Sequence, residues 1–420
     1  MKILASAILL LWSLLLCAQS PGMDIQSLRL KVAHNPVDAN ARISLAYQLM
    51  LSGNSSEALN HYETLLKQDA GNVSAMEGVL WALQAQERFR ESIDKAGLFL
   101  KQNPALASLY SYKAFALSQL GFHLAARSLY AQGQSLNKDE ALRQRTDLGL
   151  AWEYLLLKDY PAARAKLKKL GPDSDPQAWQ QLARPEYKIA LGSSSNYSNL
   201  HSVNLNLALR KSMWGAELSY EELLLDGSRF RKRIQATAMW QNPVANLSVS
   251  TSTLSGKDKR IYPVESSSLT LQPTLYYKQL QIKPSAGFIY GSYQRFDIQQ
   301  ADARLVIASD CLSGSYGFSK LYQDNDALDS DDQRQIHSFN LGIRPLNQLW
   351  ITGYLFLGDS AWWTSPYGVI YDEFEASSNT YGLSLYSPIG KAMGLLLYTQ
   401  IGKQNDESEL SSSITLSYRM

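Results

Sequence analysis

The chain has 420 residues, enough for two or three domains that each bury a core. Its 40 Lys and Arg nearly balance 38 Asp and Glu, which excludes a general basic field for nucleic acid, and 45% hydrophobic against 19% charged residues excludes a disordered chain. Of the two cysteines, Cys17 lies in an N-terminal apolar run, so processing there leaves Cys311 alone and excludes an internal disulfide or a cysteine-based zinc or iron–sulfur site.

Lys2, the apolar run from Ile3 to Cys17 and the small or polar exit Ala18, Gln19, Ser20, Pro21, Gly22 have the form of a secretory signal peptide, expected over residues 1–22. Leu16 stands before Cys17 where a lipid-anchor signal needs a small residue. No later stretch reaches the roughly 20 apolar residues of a spanning helix. The exported chain is therefore expected to dissolve in the periplasm or to enter a membrane as strands.

Residues 24 to about 175 repeat with a period of 34. Ala58, Ser92 and Ala126 mark it, and Ala163 follows at a spacing of 37. Gly53, Glu87 and Gly121 recur at the turn, and Tyr62, Ala96 and Tyr130 recur after each small residue. Breakers close the units at Asp69 to Asn72, Asn103-Pro104 and Asn137-Lys138. Apolar residues between them, such as Leu45, Leu49, Ala58, Tyr62 and Leu65, keep helical spacing. This pattern resembles the tetratricopeptide repeat. The resemblance implies an α-solenoid of about four repeats over residues 23–175, either docking a partner protein or polymer on its concave face or serving as a spacer.

After an expected linker at 176–186, the hydrophobic period changes to 2. Val203, Leu205, Leu207 and Leu209 alternate with Asn204, Asn206, Ala208 and Arg210, and similar runs continue to Ile414, Leu416, Tyr418 and Met420. The opposite faces carry mainly Ser, Thr, Asn, Gln and Gly. Such segments, about 14 in number, predict an antiparallel transmembrane β-barrel over 187–420. Tight connections near Ser212, Asn242-Pro243, Gln279, Asp310, Pro345 to Asn347 and Ile389-Gly390 are expected at the periplasmic end. Longer ones at 255–263, 323–332 and 359–377 are expected outside. Pro273 and Pro284 fall inside expected strands and predict bulges there. The fold class is thus α + β multidomain.

With the apolar face towards lipid, Lys188, Arg210, Lys283, Arg344 and Arg419 fall on the luminal face near the tight turns, a candidate basic ring for anionic polysaccharide. Strand-end charges meeting water or lipid are the plain alternative. The loop holding Trp362, Trp363, Tyr367, Tyr371, Asp372 and Glu373 suits either saccharide contact or the membrane interface. Asp324, Asp326, Asp329, Asp331 and Asp332 crowd another loop, but Leu328 breaks a calcium-loop pattern, so no metal site is expected. Hydrolase, phosphate-loop and metalloprotease motifs do not occur, so neither a catalytic residue nor a cofactor is expected. His201 and His337, among Ser-rich strands, keep a barrel hydrolase as one alternative.

In order, signal peptide, repeats and barrel resemble the outer-membrane exporters of poly-N-acetylglucosamine and cellulose, and YaiO-like barrel proteins. The resemblance implies a Gram-negative outer membrane location with the repeats in the periplasm. The expected function is a passive conduit or docking unit for envelope glycan, with outer-membrane lipid, a periplasmic protein and anionic polysaccharide as partners and no nucleic acid. A filled anchor whose repeats scaffold a periplasmic protein is the other alternative.

Overall fold

A computed structural model describes residues 24–136, 139–196, 200–211, 213–225, 228–241, 245–256, 265–292, 297–324, 332–346, 349–359, 378–389, 392–404 and 407–419. Among the described residues ten helices precede the strands: α1 (Ile25–His34), α2 (Ala39–Leu51), α3 (Ser55–Gln68), α4 (Val73–Ala85), α5 (Phe89–Gln102), α6 (Ala107–Gln119), α7 (His123–Leu136), α8 (Glu140–Leu156), α9 (Tyr160–Leu170) and α10 (Pro176–Ala183). The expected linker therefore contains a helix, started by Asp175, whose carboxylate accepts from the N–H groups of Gln177 and Ala178 ahead of Pro176 at the first turn. By internal contacts the chain forms two compact units, one of Met1–Phe122 and Ala126–Gly149, the other of His123–Ala125 and Leu150–Met420. The unit that holds the strands thus takes in the end of α8 from Leu150, upstream of the change in hydrophobic period.

In the first unit each hairpin turn is built alike. Gly53, Glu87 and Gly121, spaced by the repeat, take φ of 84°, 57° and 81°. The N–H after each bonds back across the helix end, Asn54 to Leu49, Arg88 to Leu83 and Phe122 to Leu117, at 2.8, 2.9 and 3.0 Å. This closes the orphan carbonyls of each first helix, and the left-handed residue is what makes the closure possible. Leu45, Leu49, Leu65, Met76, Leu80, Leu83 and Leu109 are each no more than 1% exposed and form the apolar seam between helices. Burying such side chains stabilises by about 1.5–3 kcal/mol apiece, which is the main term holding the hairpins together.

The second unit is dominated by strands β1 (Glu186–Asn196), β2 (Leu200–Lys211), β3 (Trp214–Leu225), β4 (Ser228–Gln241), β5 (Asn246–Gly256), β6 (Glu265–Gln272, resuming at Leu275–Tyr277), β7 (Leu280–Ser292), β8 (Asp297–Ala308), β9 (Leu312–Asp324), β10 (Asp332–Leu346), β11 (Leu349–Asp359), β12 (Ser378–Ile389), β13 (Met393–Gln404) and β14 (Glu407–Arg419). Each pairs antiparallel with its sequence neighbours, and β1 pairs with β14 from Lys188 opposite Arg419 to Asn196 opposite Ser411, closing the barrel. Closure leaves no sheet edge unpaired, the condition for strands in hydrocarbon.

Leu271 stands opposite Ala286 and Leu275 opposite Ile282, so the register is the same on both sides of the break in β6 and Pro273 stands opposite Pro284. The expected bulges are absent here. Two residues without an N–H are instead placed at one point of the ladder, which loses its bonds there without slipping.

Register and exposure separate the two faces cleanly. Outward residues such as Leu191, Val203, Leu218, Ile234, Leu269, Phe288, Leu341, Leu383 and Ile414 are exposed and apolar, a belt suited to hydrocarbon. Tyr187, Trp214, Tyr277 and Tyr418 are exposed on that face near the short-turn end, and Trp214 lies 6.2 Å from the Trp240 ring. Tyr290 and Tyr381 stand on the outward face towards the other end. Two levels of amphipathic rings are the girdle pattern of a membrane barrel.

Candidate functional site

The inward face of β5 to β7 is built from small residues. Ser248, Ser250 and Ser252 stand opposite Thr270, Ser268 and Ser266, and Gly287 and Gly291 continue the surface on β7. The Ser250 and Ser268 hydroxyls bond at 2.5 Å and those of Ser252 and Ser266 at 2.7 Å, so the wall is held flat by cross-strand pairs. This face, with Glu217, Gln235, Asp302 and Arg304, lines a cavity of about 320 Å³. Its charges are engaged within the wall. Gln300 donates to both oxygens of Asp302 at 2.8 and 3.0 Å, Arg304 donates to Ser315 at 3.0 Å, and Asn206 donates to Glu217.

The inward face of β11 to β13 is aromatic. Trp350, Tyr354 and Phe356 occupy it on β11, and the register sets Tyr386 opposite Trp350. Tyr398 meets Tyr354 edge-on with centroids 5.6 Å apart and donates to Gln400 Oε1 at 2.6 Å, and Tyr354 bonds Ser384 at 2.9 Å. Two glycines set how these rings lie: a Cβ on Gly382 would stand 3.0 Å from the Tyr398 hydroxyl, and one on Gly394 would stand 2.9 Å from that of Tyr386. Both rings therefore reach over a glycine of the adjacent strand. The lumen thus has a hydroxyl wall and an aromatic wall, complementary to the hydroxyl groups and the apolar ring faces of a sugar.

At the short-turn end, Lys188, Arg210, Lys283 and Arg344 share the inward register, and Arg419 stands at the position opposite Lys188. Arg419, Lys188 and Arg210 stand on three adjacent strands, and Lys283 and Arg344 on β7 and β10. Arg344 sits 5.8 Å over the Trp350 ring, a cation–π contact at the foot of the aromatic wall. Arg210 and Lys283 line a second, polar cavity of about 260 Å³ together with Gln241, Asn246, Gln272 and Tyr276.

The other side of that cavity comes from the turn between α8 and α9, whose Leu157, Lys158, Asp159 and Pro161 line it. Lys158 takes φ of 60° and the Asp159 N–H bonds to the Tyr154 carbonyl at 2.8 Å, the same closure as in the earlier turns. Lys158 then reaches Glu186 at the start of β1 at 2.5 Å, Tyr160 donates to the other Glu186 oxygen at 3.2 Å, and Tyr276 donates to Asp159 at 3.0 Å. Tyr154 meets Tyr276 edge-on at 5.8 Å. Sequence reading missed this turn because its contact with Tyr276 spans 117 residues. One signal was present, the spacing of 37 before Ala163: α8 has 17 residues where α2, α4 and α6 have 13, which lengthens the last hairpin by about one turn.

Trp362, Trp363, Tyr367, Tyr371, Asp372 and Glu373 lie outside the described residues, as do residues 1–22 and Asp326, Asp329 and Asp331. His201 and His337 stand on the outward face; His337 Nδ1 bonds the Tyr316 hydroxyl, a phenol, at 2.9 Å. Among the described residues no group of three or more His, Cys, Asp or Glu could hold a metal ion.

No family profile and no curated protein matches the chain. Solved structures do. A thermophilic tetratricopeptide-repeat protein of Thermus thermophilus is 18% identical over 38% of this chain and 88% of its own, with a TM-score of 0.34. The KdgM porin is 9% identical over 55% of this chain and 98% of its own, with a TM-score of 0.32. The Acinetobacter baumannii outer membrane protein Omp33 is 11% identical over 56% and 99%, with a TM-score of 0.35.

Proposed function

We propose that the protein is an outer-membrane barrel that passes or docks envelope glycan through its lumen, with its helical repeats in the periplasm. The observation that carries this reading is the inward Ser, Thr and Gly surface of β5 to β7 with a cavity of about 320 Å³ against it. A barrel used purely as an anchor gains stability by filling that space with large side chains, since unfilled volume forfeits packing. The aromatic wall supports a sugar in particular, because flat ring faces attract polarised C–H groups while the hydroxyl wall exchanges hydrogen bonds. Basic residues at the mouth favour anionic chains.

One observation favours the second reading, an anchor whose repeats scaffold a periplasmic protein: the α8–α9 turn lines the mouth cavity and is bonded to its rim. Liposome swelling separates the two. Vesicles containing the full chain swell in isosmotic short oligosaccharide if the lumen passes it. Swelling no faster than that of protein-free vesicles would refute the conduit.

A further inference from the structure

The short-turn mouth cavity combines features that a neutral pore rim does not need. Besides Lys158, which is paired with Glu186, Arg210 and Lys283 supply cations, Gln241, Asn246, Gln272 and Gln281 supply amides, and Tyr276 supplies a phenol, all lining about 260 Å³. The phenol is oriented: Gln281 donates to its oxygen at 3.3 Å, and the phenol donates onward to a carboxylate at 3.0 Å. That carboxylate belongs to Asp159, on the turn that forms the cavity's far side. Asp159 does two things at once, since its other oxygen accepts the Ala162 N–H at 3.2 Å and caps α9. Capping needs an acceptor and no charge. The charge is used on the side that faces Arg210 and Lys283.

We propose that this cavity is a binding site for the carboxylate of an acidic sugar, and that Asp159 holds the anion position as a tethered competitor. The inference rests on the glycan reading above and names its ligand class. A uronate carboxylate arriving at the mouth accepts from Tyr276 and lies between Arg210 and Lys283, its ring hydroxyls meeting the amides. It then displaces the Asp159 carboxylate from the phenol. A second anion in one low-dielectric cavity is repelled, so ligand and Asp159 exclude each other. The Lys158–Glu186 pair keeps the turn at the rim when the anion site changes hands.

The test is equilibrium binding of a short oligomannuronate to the full chain in detergent, by calorimetry, with a neutral oligosaccharide of equal length as control. Asp159→Asn keeps the α9 cap and removes the competing charge. It is expected to bind the uronate about tenfold tighter than the unaltered chain, and Arg210→Gln or Lys283→Gln in the Asp159→Asn background is expected to lose that gain. Circular dichroism and thermal unfolding establish that each variant is folded. Unchanged uronate affinity in Asp159→Asn, or an equal gain for the neutral sugar, would overturn the proposal. Conductance of the same preparation keeps the two readings apart: a binding shift without conductance refutes the conduit alone, and conductance without a binding shift refutes the site alone.

Discussion

The ring of Tyr62 on α3 lies so closely against Gly78 on α4 that a Cβ on Gly78 would overlap its carbons. One repeat later the equivalent positions are Ala96 and Tyr112, both buried, with the sizes exchanged. Tyr130 and Gly149 restore the first arrangement, with 2.6 Å from a ring carbon to an added Cβ. At these three positions a large ring recurs with a small residue, whichever side carries the ring. Gly78→Ala is therefore expected to destabilise the helical unit by about 1–3 kcal/mol through overpacking, despite the better helix propensity of alanine. Tyr62→Leu in the same chain should recover part of that loss. Urea unfolding followed at the helical circular dichroism band measures both.

Glu87 takes a left-handed conformation where Gly53 and Gly121 stand in the neighbouring turns. A side chain costs about 1–2 kcal/mol in that region, and the greater freedom of glycine in the unfolded chain returns about 0.4–1 kcal/mol of it. Glu87→Gly should raise stability by up to about 1 kcal/mol. A lowered unfolding midpoint would show that the Glu87 side chain contributes something that offsets its backbone strain.

Burial holds the Glu77 carboxyl above the usual range, with the Arg145 charge opposing part of the effect. A raised folded value means that protonation favours folding. The contribution is complete below the unfolded value of about 4.3 and is lost as pH rises through the folded one. Glu77→Gln is thus expected to match the unaltered chain at about pH 3.5 and to exceed it in thermal stability at about pH 7. Equal stability at both would show that the carboxyl is not desolvated.

The architecture was legible in the sequence because both periods were explicit. Gly53, Glu87 and Gly121 mark the repeat, and Val203 to Leu209 against Asn204 to Arg210 mark the strand faces; the structure uses each in that role. The inward register of Lys188, Arg210, Lys283 and Arg344 was legible for the same reason, since alternation alone fixes a face. Other features depend on partners distant in the chain. Pro273 predicts a bulge when read singly, and only the pairing shows that Pro284 stands opposite and removes the need for one. Asp159 caps α9 through a local bond, and its second role exists because Tyr276, distant in the chain, is folded against it.

The hydroxyl wall can be tested by filling it. Ser250→Trp together with Ser268→Trp places two large rings where two bonded hydroxyls now lie flat. Sugar-driven vesicle swelling should fall at least severalfold, while the same change at the outward Val249 and Leu269 should leave it near the original rate. Equal effects at both pairs would mean that the loss reflects folding and not the lumen.

The central claim is that the lumen is passable, and single-channel recording in planar bilayers measures it directly. The full chain is predicted to give discrete, reproducible conductance steps, in the unaltered form and in Asp159→Asn alike. A folded, inserted protein that gives no steps in either form would contradict the account and leave the barrel as an anchor for the repeats.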